Sequence, residues 1–280
     1  MGFYIVSTPI GNLGDLSSRA EEVLKNSSFI LCEKKERALK LVSHLGLKNL
    51  KLISYHDDKI DSIFPIILEN NRAGKNISLI SDAGTPLISD PGNILIKRLI
   101  HEGIEPIAIP GPTSIIPALL LSSFDISKFI YLGFMSKSKR KIKTELEPYL
   151  DTNIPVVILT SMNDIKRIVD ILSTKNEIFN LSISKELTKK NEKTFRFQSN
   201  QFDESKLENF ISKGEFVTII QKLKTSENNK IHYKKIEKRI MELRKLNYSK
   251  NDIVKILVKN ELIKKNLAYD LVIKYWPNQD

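Results

Sequence analysis

Apolar, β-rich runs recur through the first part of the chain, at Phe3–Thr8, Phe29–Glu33, Leu50–Tyr55, Ile77–Ser81 and Ile104–Ile109. Between them the apolar positions switch to helical spacing. Leu16–Lys25 is one such segment, and Glu36–Leu45 is another, closed by Gly46 as a C-cap. Asp61–Asn70 follows, with Pro65 tolerated near its first turn. Asp90-Pro91 reads as an N-cap and first-turn proline for a fourth helix that closes near Gly103. Alternation of this kind predicts βαβ units and a mainly parallel sheet.

A second α/β block begins near Lys128. Its expected strands are Ile130–Phe134, Val156–Leu159, Leu181–Ser184 and Phe216–Gln221, with a short extra one at Thr194–Gln198. Asn163–Ser173 and Glu204–Ser212 are its expected helices. The stretch TSENNK, residues 225–230, reads as a linker. Beyond it, Ile236–Leu246, Lys250–Lys259 and Ile263–Tyr275 have helical spacing. The expected organisation is an N-terminal α/β lobe over residues 1–122, a second α/β lobe over 123–224 and a basic helical tail over 225–280.

With 280 residues, 41% hydrophobic and 28% charged, the chain has the length and balance of a soluble globular protein. No apolar stretch approaches the roughly 18 residues of a membrane-span candidate. Met1–Ile5 runs straight into the first strand pattern with no basic leader, so a cytoplasmic location is expected. The single Cys32 excludes an internal disulfide and reads as a small buried hydrophobe. Four scattered His offer no zinc set, and no metal is expected. The net charge of +11 is unevenly distributed: Lys222–Asp280 holds fifteen Lys/Arg against seven Asp/Glu, a net of +8, leaving +3 for the preceding 221 residues. A basic tail on a near-neutral body points to an anionic partner, although a Lys-rich composition also loads any solvated surface with charge.

Candidate chemistry lies in three loops at expected strand ends: STPIGNLGD (Ser7–Asp15), LISDAGTPLISDPG (Leu79–Gly92) and IPGPTSIIPA (Ile109–Ala118). Ligands of open α/β sheets bind beyond the carboxyl ends of the strands. Each loop sets Gly and Pro there, allowing close backbone approach, and then opens a helix with free N–H groups. None is a dinucleotide fingerprint or a Walker loop. Any one alone is ordinary turn chemistry; three on one sheet edge make a binding site.

The segments FYIVSTPIGNLGDLSSRA, LISDAGTPLISDPG and PGPTSIIPALL resemble the motifs of the ribosomal RNA small subunit methyltransferase I family, in the tetrapyrrole methylase superfamily. His56-Asp57, Gly133-Phe134 followed by Lys137, Lys139 and Arg140, Lys185–Lys189 and Lys213–Val217 extend the likeness, which spans residues 3–221. The resemblance implies a two-lobed class III (tetrapyrrole methylase-like) α/β methyltransferase with a small C-terminal helical domain, usually a homodimer. It implies S-adenosylmethionine between the lobes and 2′-O-methylation of a cytidine in small-subunit rRNA, hence the 30S subunit as partner. Carried over residue by residue, the cofactor contacts are Pro9, Ile10, Asp82, Ala83, Thr85, Ile88, Thr113 and Ser114. Asp90 is then chiefly a helix cap, with a polar ligand contact left open.

Two segments depart from the family. Its Glu-Asp-Thr-Arg is here Glu33-Lys34-Lys35-Glu36, and its Tyr-Glu-Ser-x-His-Arg is Leu159–Asp164 with only the serine kept. Both fall on the expected substrate side and leave the cofactor loops intact. Methyl transfer to a ribose hydroxyl calls for a base, and Glu33, His56, Asp57 and Glu186 are the candidates at strand ends. Lys137, Lys139, Arg140, Lys141 and Lys143, in the stretch MSKSKRKIK, read as a basic loop that grips rRNA phosphates. Two rival readings are a small-molecule methylase of the superfamily and an RNA-binding or assembly protein that keeps the fold without catalysis.

Overall fold

The computed structural model describes residues 2–47, 49–203, 214–223, 226–260 and 265–276. They form two compact units, residues 1–223 and 224–280. The helix expected at Glu204–Ser212 lies outside the described residues.

The first sheet contains β1 (Phe3–Val6), β2 (Phe29–Cys32), β3 (Lys51–Ser54), β4 (Ile77–Leu79) and β5 (Pro106–Ile109), all parallel, in the order β3-β2-β4-β1-β5. Its central strands are mainly apolar because both faces are covered, whereas the edge strand β3 opens at exposed Lys51. Phe29 and Leu31 join Phe3, Ile77 and Leu79 under α3 (Ile60–Arg72) and α4 (Asn93–His101). Ile30 and Cys32 point the other way, with Val6 and Ile109, under α1 (Ser18–Lys25) and α2 (Lys35–His44). Burial pushes the Cys32 thiol up to about 11, so it is a packing group and not a nucleophile.

The second sheet contains β6 (Ile130–Phe134), β7 (Val156–Thr160), β8 (Phe179–Lys185), β9 (Lys193–Gln198) and β10 (Phe216–Lys222), in the order β6-β7-β10-β8-β9. Only β6 and β7 run parallel; the other pairs are antiparallel. One face packs on α6 (Lys139–Leu150) and α7 (Met162–Leu172). Ile115, Ala118 and Leu119 of α5 (Ile115–Leu121), which follows β5, pack on Val157, Val217 and Ile219 of the other face. Thus α5 fastens the first sheet's last loop to the second sheet.

Two expectations need correction. Residues 139–143 are the start of α6 and not a loop: Ser138 caps the helix by accepting from the Lys141 amide, and Ile142, Leu146 and Leu150 form a buried stripe. The polar stretch read as a linker is helical from Ser226, because α8 (Ser226–Lys245) begins ten residues before the apolar spacing does. In the tail unit, α8, α9 (Lys250–Asn260) and α10 (Lys265–Lys274) enclose their own core of Ile236, Ile240, Leu243, Ile253, Leu257 and Leu271. Trp276 packs on that core with the Arg244 and Lys250 cations 5.1 and 5.2 Å from its ring, whereas Tyr248 and Tyr269 are exposed. Among the described residues no helix is long and apolar enough to cross a membrane.

Candidate functional site

Strands β4, β1 and β5 are neighbours, so the three Gly/Pro loops that follow them lie side by side at the sheet's carboxyl edge. Hydrogen bonds stitch them together. Thr8 and Gly84 exchange both backbone bonds at 2.9 Å. Ser7 donates its hydroxyl to Thr85 Oγ1 (3.2 Å), and Thr85 donates to the Pro112 carbonyl (3.1 Å). Ser81 bonds back to the Gly84 carbonyl at 3.2 Å. A polar chain therefore runs through all three loops and fixes their shape.

Above this edge is a cleft of about 620 Å³, lined by both lobes and within the usual range of small-molecule sites. Ile10, Asp82, Ala83, Thr85, Ile88, Thr113 and Ser114 all line it; Pro9 does not. Of the base candidates, Glu33 and Glu186 line it, while His56 and Asp57 do not. Asp57 instead accepts from the Tyr55 hydroxyl (2.8 Å) and the Gly92 amide (3.0 Å), and so anchors the loop from below. The five basic residues of 137–143 are absent from the lining. Lys139 is 3.2 Å from Asp170 in an exposed pair, which contributes little and leaves the cation open to exchange.

The same enclosure fits a bound S-adenosylmethionine. Ile10, Ile88 and Leu187 supply apolar wall, Thr85, Thr113 and Ser114 supply hydroxyls, and Glu33, Asp82 and Glu215 supply negative charge for a cationic ligand. Gly84 lies in the wall with its backbone committed to Thr8.

Both departed segments have structural work in this protein. Asp82 accepts from the Lys34 amide (3.1 Å), lies 3.3 Å from Lys34 Nζ and is 3.4 Å from Arg37 Nε. It thereby caps α2, whose N-cap Lys34 has no capping side chain of its own. Ser161 and Asp164 form a reciprocal capping box at the start of α7. Sequence reasoning did not single out Arg37 or Tyr131 as cleft residues, and it had Lys34, Phe134, Lys189 and Glu215 only within longer family-like or departed segments. The one local signal was Gly133, at an irregularity of β6 with φ of +68°, where an added Cβ would meet Ser89 Oγ at 3.1 Å. That close approach lets Tyr131 share a 2.8 Å hydrogen bond with Ser89 across the lobes.

Asp90 is not the cap of α4. Gly92 occupies that position with φ of +126°, and its amide is bound by Asp57. Leu87 and Ser89 both have positive φ, which turns the intervening chain and leaves Asp90 lining the cleft. Desolvation and the neighbouring Glu33 carboxylate push the Asp90 carboxyl up to about 6. The folded state therefore holds a proton that the unfolded state has released between about pH 4 and pH 6. Stability attributable to this group falls as pH rises through that interval and stays low above it. Asp90→Asn removes the titration, so its thermal midpoint should gain on the native protein from pH 4 to pH 7. The expected gain, discounted for partial solvent access, is about 1 kcal/mol, or roughly 2–4 °C. A difference that stays flat with pH in scanning calorimetry contradicts this.

Residues 2–203 match the family model described as tetrapyrrole (corrin/porphyrin) methylases. The chain is 36% identical over 279 residues to the ribosomal RNA small subunit methyltransferase I of Buchnera aphidicola subsp. Schizaphis graminum, covering 97% of this chain and 95% of that protein. It is 32% identical over 223 residues to the protein of the same name from Leptospira biflexa, covering 80% and 92%. Among solved structures, a diphthine synthase shares the fold with a TM-score of 0.62 at 9% identity, over 79% of this chain and 90% of that one. By its three stitched loops and these matches, the chain belongs to the tetrapyrrole methylase family, in its ribosomal RNA small subunit methyltransferase I branch.

Proposed function

We propose that this protein transfers the methyl group of S-adenosylmethionine to the 2′-hydroxyl of a cytidine in small-subunit rRNA, acting in the cytoplasm on the 30S subunit. The observation that carries the reading is the junction of the loops after β1, β4 and β5 beneath a second lobe whose rim bears exposed Phe134. When bound, the cofactor supplies a methyl carbon made electrophilic by its sulfonium. The chain's own part is to hold donor and acceptor in line, which supplies much of the acceleration in such a displacement. Ile10, Asp82, Ala83, Thr85, Ile88, Thr113 and Ser114 are the proposed cofactor contacts, with Pro9 outside the lining; no metal takes part. Phe134, 58% exposed at the cleft, suits stacking with an unstacked base. Lys137, Lys139, Arg140, Lys141 and Lys143 follow it and suit phosphates. A homodimer fits the exposed Ile116 and Leu120, one turn apart on α5.

Incubating unmodified small subunits with labelled cofactor should place label on one ribose. Label on a base, or on a tetrapyrrole precursor and not on RNA, overturns the reading. RNA affinity should also depend on charge outside the cleft. If residues 137–143 neutralise about three phosphates, changing their five cations to Ser should flatten the slope of log affinity against log salt by roughly two to three units. Truncation at Thr225 removes most of the tail's +8 and should flatten it further. Equal slopes for all three proteins would mean that this charge does not contact RNA.

A further inference from the structure

We propose that Asp90 accepts the proton of the ribose hydroxyl as the methyl group is transferred. The proposal rests on the methyl-transfer reading above and assigns its base.

The geometry sets this carboxylate apart from the other acids of the cleft: Glu215 is exposed to solvent, and the rest lie beside cations. Glu33 is 3.7 Å from Lys34 Nζ, Glu186 is 3.1 Å from Lys189 Nζ, and Asp82 is held by Lys34 and Arg37. Each therefore has a cation competing for its charge. Asp57 is committed to Tyr55 and Gly92 outside the cleft. Asp90 has Ser81, Glu33, Asp82 and Glu215 around it, and among the described residues no cation is paired with it. A half-buried carboxylate facing other acids binds a proton more readily than an exposed one, as a base for a hydroxyl must.

The loop holds Asp90 there against local preference. An aspartate beside Pro91 would ordinarily cap the helix that follows. Here positive φ at Leu87 and Ser89, both non-glycine, turns the chain. Such backbone strain persists only where surrounding contacts enforce it, and it gathers at functional sites. Three contacts enforce it: Ser89 to Tyr131, Asp57 to the Gly92 amide, and Asp57 to the Tyr55 hydroxyl. The first of these comes from the second lobe.

The step is balanced without any further reagent. The ribose oxygen attacks the methyl carbon, and the C–O bond forms as the C–S bond breaks. Its electron pair stays on sulfur, leaving a neutral thioether, while the hydroxyl proton passes to an Asp90 carboxylate oxygen and then to water. The titrating environment comprises Glu33 and Asp82 from the first lobe and Glu215 and Tyr131 from the second. Lys34 and Arg37 lie on Asp82, and Lys189 lies on Glu186.

The test combines single-turnover kinetics on unmodified small subunits with a carbon-13 titration of Asp side-chain carboxyls. For the native protein, the rate should rise with pH to a plateau above about 6. Asp90→Asn should lose that limb and about 10²–10⁴ in rate, while cofactor affinity by calorimetry stays within about threefold. Asp90→Glu should keep the limb at a reduced rate. One carboxyl resonance, missing from Asp90→Asn, should titrate near 6. The proposal is overturned if Asp90→Asn keeps more than a tenth of the rate, if its acid limb persists, or if the resonance titrates near 4. No label on RNA from the native protein removes instead the methyl-transfer reading, and this step with it.

Discussion

Thr85→Arg should abolish S-adenosylmethionine binding, with calorimetric heat falling to baseline and affinity dropping at least about 100-fold, roughly 3 kcal/mol. Thr85 lies at the junction of all three loops, taking the Ser7 hydroxyl bond and donating to Pro112. The longer side chain would enter a cleft of about 620 Å³ and bring a guanidinium toward Glu33, Asp82 and Glu215. It would thus occupy both the space and the charge complement of a cationic ligand. The lost hydroxyl bonds should cost about 1 kcal/mol each, leaving thermal unfolding cooperative. Thr113→Arg is a second probe, because the Thr113 hydroxyl accepts a local 3.3 Å bond from the Ile115 amide and does not join the chain through Ser7, Thr85 and Pro112. Native-like titrations from both variants would remove the pocket assignment.

The second large effect is expected at Gly92. A Cβ there would lie 2.7 Å from Leu87 Cδ2 and 3.2 Å from Leu79 Cδ2, on a backbone at φ of +126°. Leu79 is buried at the end of β4 and has little room to give. Gly92→Ala should therefore combine backbone strain with overpacking, for a loss of about 3 kcal/mol and roughly 6–12 °C in thermal midpoint. It should also slow methyl transfer, since the shift would move Asp90, two residues away. Gly46→Ala is the matched control: φ is +71°, nothing lies within 4 Å of the added Cβ, and about 1 kcal/mol is expected. Equal losses at the two glycines, measured by denaturant unfolding, would mean that the Leu87–Leu79 contact is soft and that Gly92 is there for φ alone.

These two experiments separate the parts of one loop. Residues 82–85 line the cleft, whereas Leu87, Ser89 and Gly92 hold positive φ, so Thr85→Arg should remove binding and Gly92→Ala chiefly stability and rate. The Asp90 carboxylate itself opposes folding above about pH 6, a cost that a purely structural residue would not carry.

Local pattern was enough to specify most elements of this chain. Strand β6 occupies the expected residues, and most of the others differ from expectation by one to three residues at their ends. The reason is that apolar runs and helical spacing report burial of neighbouring positions, a short-range property. Gly and Pro clusters likewise marked the three loops, since turns need particular φ values wherever they occur. What required tertiary structure was every choice between two locally acceptable states. Ser138 and the Ile142–Leu146–Leu150 stripe make a helix of a stretch whose charges read as loop, because burial against β7 and α7 outweighs like-charge repulsion in its first turn. Asp90 could cap or face the cleft; the Asp57 bond to Gly92, reaching back 35 residues, settled it. Asp82 reaches 48 residues back to cap α2 at Lys34, so a side chain that sequence assigned to the cofactor also serves the departed segment. The strand order β4-β1-β5 made neighbours of loops whose bonded side chains lie 27 and 78 residues from their partners, and that order comes from packing two helical layers on the sheet, which no local window contains.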